Sequence, residues 1–419
     1  MLKAFQALFC TALAALVLLS GCKGEESSSQ PEPTTVQSTT AVPTTVATTT
    51  EPATKDSAGT VKYDFVAIKQ KSGAISDDFD SYVAKKDYKG TVYLKLGNDF
   101  EYISSRGAAD SVGHKDNSIN TCYYIGAVTQ QFTAAAVLQL VDCGKLNLED
   151  TLDKFFPDYK PGAEITVDNL LNMTSGIKNY IVHSNISDAA AYLDIELTDT
   201  VTKDNSYEEN KKLILDWIFS HPLDTTPSAE FSFSDSNYYI LGEIIAQCSG
   251  MSYEDYVKEK LFKPLYMNNS GFDGSIKTAV GYDGDAQGEK LNYPGVGYAA
   301  CGMISNVSDL LRWTDGIFSD GIISELAARY MQSTGESNFN CGFYHRDGRL
   351  SASGRSGAFS AQLSYKPDKS DIFISLSNYS FSDSSSLHGQ FRKYLSNYTV
   401  TKLANLHIMV LLQRIPVNT

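Results

Sequence analysis

Residues 124–133 read Tyr-Ile-Gly-Ala-Val-Thr-Gln-Gln-Phe-Thr, and they open an apolar run that ends near Gly144. Gly126 gives the run a tight entry. Phe132, Ala135, Ala136, Val137, Leu140 and Val141 make it apolar on nearly every side. The spacing predicts a helix buried along its length, the spine of the fold.

The flanking sequence supplies a sheet and more helices. Ile75, Phe79, Tyr82 and Val83 fall at helical spacing and predict a helix over residues 76–85, with Ser76 or Asp77 near its cap. Gly90–Leu96 and Tyr102–Gly107 read as two strands, with Gly97-Asn98-Asp99 as the turn between them. After the spine, Gly144–Asp150 has the chemistry of a helix end. Tyr180–Asp216 is polar and irregularly apolar, which predicts a variable helical insertion over the mouth of any site. Tyr253–Met267 reads as helix and turn, and Gly297–Trp313 as a strand feeding a helix capped at Ser308-Asp309. Strands are expected over Ala361–Tyr365 and Ile372–Leu376, then a last helix over about 384–395.

Three strips stand out within this order. They are Gly126-Ala127-Val128-Thr129-Gln130, Phe231-Ser232-Phe233-Ser234-Asp235-Ser236-Asn237, and Ser351-Ala352-Ser353-Gly354-Arg355-Ser356-Gly357-Ala358-Phe359-Ser360. Together with residues 155–177, they resemble the serine β-lactamase and penicillin-binding-protein superfamily, in the branch related to class C β-lactamases. The resemblance implies an α+β, α/β/α sandwich-like fold: an antiparallel sheet flanked by helices, plus an all-helical lobe. It also implies a chemistry. A serine is made nucleophilic by a lysine one helical turn later, on the same face. A Tyr-x-Asn relays protons and orients the substrate, and a strand carries His or Lys, any residue, then Gly.

Every reactive position differs here. Ala127 stands at the nucleophile and Gln130, which cannot take a proton near neutral pH, at the lysine. Phe233 replaces the phenol and Asp235 the amide. Ala352 falls at the His or Lys position, and a shift of one residue would put Ser351 there; neither is basic. Losing a nucleophile alone costs orders of magnitude in rate. A non-catalytic copy is therefore expected, with a cleft formed by Gln130, Phe233, Asp235, Ser353, Gly354 and Arg355. That lining suits a neutral or cationic peptide-like or glycan-like group of the cell envelope. Asp235 would repel a carboxylate, while an inward Arg355 would reverse the preference. Two other readings stay open. One is a working D-alanyl-D-alanine carboxypeptidase, β-lactamase or esterase using residues elsewhere; the other is a structural envelope module. As substitute nucleophiles, Thr129 points to another helix face than Ala127, and Ser234 has no basic partner in sequence reach. Ordinary hydrogen bonding to backbone is expected of both, and turn chemistry of Ser175.

Composition narrows the partners. A chain of 419 residues with 42% hydrophobic and 20% charged content has ample core for a globular protein. Its net charge of −14 argues against nucleic acid, which needs a basic face. The six histidines show no paired metal-ligand spacing and no glycine-rich phosphate loop occurs, so neither metal nor cofactor is expected. Lys3 followed by the apolar run Phe5–Leu19 reads as a signal segment. It closes with Leu19-Ser20-Gly21-Cys22, which resembles a bacterial lipoprotein box. The resemblance implies removal of residues 1–21 and lipid on Cys22, anchoring the protein to the outer side of the bacterial cell membrane. Residues 22–60 are rich in Thr, Pro and Ser and predict a disordered tether. Residues 61–398 form the domain, and 399–419 a tail with no assigned role. Five cysteines remain beyond Cys10 and Cys22, too widely spaced for a disulfide framework, and buried free thiols are expected for most.

Overall fold

Seven antiparallel strands carry the spine helix, and the pairing that closes the sheet joins the two ends of the domain. A computed structural model describes residues 53–55, 61–63 and 74–397, apart from 99, 183–192, 273, 284–285, 288–293, 319–320, 335–336, 381 and 383. These residues belong to one unit, Ala53–Thr419. The expected signal segment, Cys22, most of the tether and the tail lie outside the described residues.

The chain begins with α1 (Ala74–Lys85), then the hairpin β1 (Gly90–Leu96) and β2 (Phe100–Arg106). A 3-10 turn at Gly126–Thr129 leads into the spine, α2 (Gln130–Asp142). The helical lobe follows with α3 (Val167–Leu171), α4 (Tyr207–Ser220), α5 (Asp235–Ser249) and α6 (Tyr253–Val257). Next come α7 (Val307–Gly316) and α8 (Glu325–Gln332). The remaining strands are β3 (Phe339–Asn340), β4 (Phe343–Arg346), β5 (Arg349–Ser356), β6 (Phe359–Tyr365) and β7 (Asp371–Ser377), and α9 spans 384–397. The sheet order is β3-β4-β5-β6-β7-β1-β2. Every neighbour is antiparallel, and β7 pairs with β1 from Asp371↔Leu96 to Leu376↔Thr91. The fold is the expected mixed α+β architecture, an antiparallel sheet flanked by helices.

Strand alternation divides the sheet's two faces. Val92, Leu94, Leu96 and Phe373 pack with Phe79 and Val83 of α1 and with Leu387 and Phe391 of α9. The spine has eleven of its thirteen residues buried. Its ring Phe132 lies 3.9 Å from Trp313 of α7, and Gln131 Oε1 accepts from the Trp313 indole at 2.5 Å. Thr133 Oγ1 donates to Ala299 O at 2.7 Å. A buried helix can carry such polar residues where these oxygens find partners, although Gln131 Nε2 has none among the described residues.

Several boundaries differ from expectation for local reasons. α1 starts at Ala74, ahead of the expected Ser76 or Asp77 cap. α7 is capped by Asn306, whose Oδ1 accepts from Asp309 N at 2.9 Å, so Ser308 and Asp309 lie inside its first turn. The strand expected before it shrinks to Ile304–Ser305, after a helical turn at Tyr298–Cys301. The sequence pattern does not predict β3 and β4, although Asp347-Gly348 sits at the β4–β5 tip with both residues left-handed, the pairing that two-residue hairpins favour. Cys122, Cys301 and Cys341 are buried, Cys143 is exposed and Cys248 half-buried; all five are free thiols.

Two predictions follow from this packing. A Cβ on Gly354 of β5 would meet Ala127 N at 2.3 Å, whereas one on Gly389 of α9 would meet nothing within 4 Å. Gly354→Ala should cost about 3 kcal/mol, while Gly389→Ala should stabilise by about 0.5–1 kcal/mol, both read by urea unfolding. Burial, with Arg349 and Arg392 nearby, pushes the His388 imidazole from its ordinary 6.5 down to about 4. Its folded pKa is depressed, so its contribution is complete above about 6.5 and is lost as pH falls through about 4. The loss should reach about 3 kcal/mol, and His388→Gln should flatten the stability–pH curve in that window.

Candidate functional site

The site is built where β5 crosses the entry to the spine. Gly126 takes a left-handed φ of 53°, and a Cβ there would lie 2.4 Å from Arg355 N. A Cβ on Gly354 would lie 2.3 Å from both Ala127 N and Ile125 O. Backbone therefore meets backbone at this seam. From Cys122 to Leu138 every residue is buried except Ala127, which is half-buried at the surface of the seam.

One turn below Ala127, the Gln130 side chain reaches α5. Its Nε2 donates to Asp235 Oδ1 at 3.0 Å, and both residues are only 1% exposed. Asn179 completes a second exchange: its Nδ2 donates to Asp235 Oδ2 at 3.3 Å, and its Oδ1 accepts from Asp235 N at 2.9 Å. Nothing in the sequence pointed to Asn179, which lies in an irregular segment 56 residues before Asp235. The carboxylate sits at the start of α5, where the helix dipole also favours negative charge.

An aromatic wall stands beside this network. Phe233 is half-buried and contacts Phe339 edge-on, with ring centroids 6.3 Å apart. Phe339 in turn meets Tyr344 at 5.0 Å and Phe231 at 5.6 Å. Tyr344 is 44% exposed. Burial raises its phenol above the ordinary range, and the charge of Asp235 adds to this, which places the two groups in one neighbourhood. Phe339 and Tyr344 belong to the meander that periodicity did not reveal.

The third strip contributes differently than expected. Ala352 is buried on the face it shares with Gly354. Ser351 lies on the other face, its hydroxyl 2.8 Å from Ser364 Oγ. By the same alternation Ser353 and Arg355, both exposed, project from the face opposite Gly354. The strip thus brings its backbone to Ala127, and not the side chains of Ser353 and Arg355.

Neither substitute hydroxyl is placed for nucleophilic attack. Thr129 is fully buried and its Oγ1 accepts from Met303 N at 3.2 Å. Ser234 departs from its expected backbone bond: its Oγ is buried with no partner among the described residues, while its backbone N–H donates to Met173 Sδ at 3.4 Å. Ser175 accepts from Ile177 N at 3.0 Å, as a turn residue does, and donates to Asn237 Oδ1. Among the described residues, no group of three or more His, Cys, Asp or Glu could hold a metal. Gln130, Asp235 and Asn179 hold one another beneath Ala127.

Comparison with known proteins shows the family to which the fold belongs. A model of the beta-lactamase family matches residues 79–393. The chain belongs to the beta-lactamase family. It is 27% identical over 308 residues to the putative penicillin-binding protein PbpX of Bacillus subtilis, covering 71% of this chain and 72% of that protein. Penicillin-binding protein 4* of the same organism is 25% identical over 268 residues, covering 59% of this chain and 56% of that one. Protein flp of Staphylococcus aureus is 30% identical over 203 residues, covering 46% of this chain and 36% of its own length. Among solved structures, the penicillin-binding protein from Bacillus halodurans superposes with a TM-score of 0.66 at 20% identity, covering 75% of this chain and 99% of that one. FmtA from Staphylococcus aureus does so with a TM-score of 0.64 at 18% identity, over 77% and 88%. At these identities the structures show the shared fold.

The Gln130–Asp235 bond makes a specific demand on this family member. Gln130→Ala removes a donor from a buried carboxylate and should cost about 1–3 kcal/mol. Combined with Asp235→Ala in a double-mutant cycle, the two losses should fall well short of additive, as measured by chemical unfolding.

Proposed function

We propose that this protein is a non-catalytic member of the beta-lactamase family that binds a peptide-like or glycan-like group of the bacterial cell envelope. The observation that carries the proposal is the buried 3.0 Å bond from Gln130 to Asp235 beneath a half-exposed Ala127. On this reading Ala127 and Gln130 occupy the positions of the family's serine and lysine, and Phe233, Asp235 and Ala352 those of its remaining reactive groups. Position 127 then offers no hydroxyl to the seam, and the side chains of Gln130 and Asp235 beneath it bond to each other. Removing the nucleophile alone lowers such catalysis by orders of magnitude, and the base is gone as well.

The binding surface is the seam with its aromatic wall. Ala127, Phe233, Tyr344 and the backbone of residues 353–355 line it, with Asp235 behind them. A carboxylate beneath the surface and no basic side chain at 130 or 352 favour a neutral or cationic group over an anionic one. Fold and chemistry are separable, so a binding role is compatible with an intact family fold. We further propose that the protein is held at the outer membrane surface of the cell by lipid on Cys22, with residues 22–60 as its tether.

Fluorescent penicillin should leave the protein unlabelled on a denaturing gel. Covalent labelling at any serine would instead support the alternative, an active hydrolase using other residues. Ala127→Ser with Gln130→Lys should gain at least detectable labelling, since the seam backbone is in place. Muropeptides or glycans should raise the melting temperature of the unmodified protein; if none does, a structural envelope role replaces ligand binding.

A further inference from the structure

The turn after α3 is built on a residue that its backbone does not favour. Thr174 N donates to Asn169 O at 2.9 Å and Met173 N to Leu170 O at 3.4 Å. These are the paired bonds of a helix end that requires a left-handed residue, and glycine usually supplies it. Here Met173 takes a φ of 58°, with its side chain fully buried. Residues held in such conformations persist where their surroundings require them, and they gather at functional sites.

The sulfur accounts for that requirement. Met173 Sδ accepts from Ser234 N at 3.4 Å and from Asn237 Nδ2 at 3.1 Å. Met173 O accepts from Ser232 N at 2.8 Å. Ser175 holds the same Asn237 from its other side, through a hydroxyl donated to Oδ1. A glycine at 173 would suit the backbone but would take the sulfur away. An apolar side chain of the same size would leave two buried N–H groups unsatisfied.

The anchored groups alternate with the residues that form the seam. The amides of Ser232 and Ser234 turn to Met173. The alternate residues Phe231 and Phe233 both reach Phe339, with ring centroids 5.6 Å and 6.3 Å away. Asp235, next after Ser234, accepts from Gln130 at 3.0 Å. The strand that carries Phe339 is tied to the same turn: Leu171 O accepts from Cys341 N at 3.3 Å, one residue beyond β3.

We propose that Met173 is a positioning residue of the seam: its thioether holds the strip over residues 232–237 where Phe233 meets the aromatic wall and Asp235 meets Gln130. The consequence for a ligand rests on the binding role proposed above, whereas the placement of Asp235 against Gln130 does not.

The test compares Met173→Leu, which keeps the bulk and removes the acceptor, with Met267→Leu, the same change at a buried methionine outside the strip. Hydrogen exchange of the full chain is followed by NMR at the Gln130 Nε2 amide and at the backbone amide of Val137, in the middle of the spine. The ratio of the two rates should rise about ten-fold in Met173→Leu and stay unchanged in Met267→Leu. A disaccharide–pentapeptide muropeptide, titrated by calorimetry, should bind Met173→Leu about ten-fold more weakly than the unmodified protein. An unchanged exchange ratio would overturn the proposal, because a residue that only fills space loosens Gln130 and Val137 alike. A raised ratio with undiminished muropeptide affinity would overturn it too. If the unmodified protein binds no muropeptide, the binding role falls and the exchange ratio alone decides the role of Met173. Should Met173→Leu fail to fold, Asn237→Ala, which removes one of the two donors to the sulfur, decides by the same ratio.

Discussion

The close crossing of β5 over the entry to the spine constrains everything around it. At Gly126 and Gly354 two backbones approach to distances at which a single methyl group would collide with main-chain atoms on the other side. Steric exclusion of this kind cannot be relieved by rotamer changes, because the opposing atoms are backbone. It sets the height of α2 above the sheet. It also turns Ala127 to the surface, and it fixes which face of β5 the spine sees. The remaining spine contacts, from Phe132 on Trp313 to Thr133 on Ala299, hold the helix in that position.

Below the seam, the polar groups form a closed set. Gln130 and Asn179 both donate to Asp235, and Asp235 returns its backbone N–H to Asn179. A carboxylate so deeply buried is tolerable only when donors surround it. The arrangement ties three segments together: the first turn of α2, the loop after α3 and the start of α5. In the low dielectric of the interior such bonds are strong, and their geometry is correspondingly strict. The aromatic wall from Phe231 to Tyr344 closes the neighbouring side through rings set edge-on and tilted, as their quadrupoles prefer.

The sheet carries the same logic to its far end. Arg349 leaves β5 on the α9 side, where it pairs with Asp371 of β7 and lies 4.8 Å from the centre of the Phe391 ring. Burying a guanidinium there requires that carboxylate, since an unpaired charge in the core is prohibitively costly.

Local sequence was enough for features that depend on local period. The spine, the β1–β2 hairpin, the strands β6 and β7 and the last helix were legible because their residues repeat with the spacing that buries one face or all faces. The residue types at 127, 130, 233, 235 and 352 were likewise plain, and with them the absence of Ser at 127 and Lys at 130. The short strands β3 and β4 were not legible, because two to four residues are too few to establish a period. Only the tertiary structure decided that Gln130 meets Asp235 across 105 residues and that Asn179 joins them. It alone decided that Ser353 and Arg355 turn away from the seam while Ala352 faces it. Those outcomes depend on how far apart two packed backbones come to rest, and that distance is set by long-range packing that no local pattern encodes.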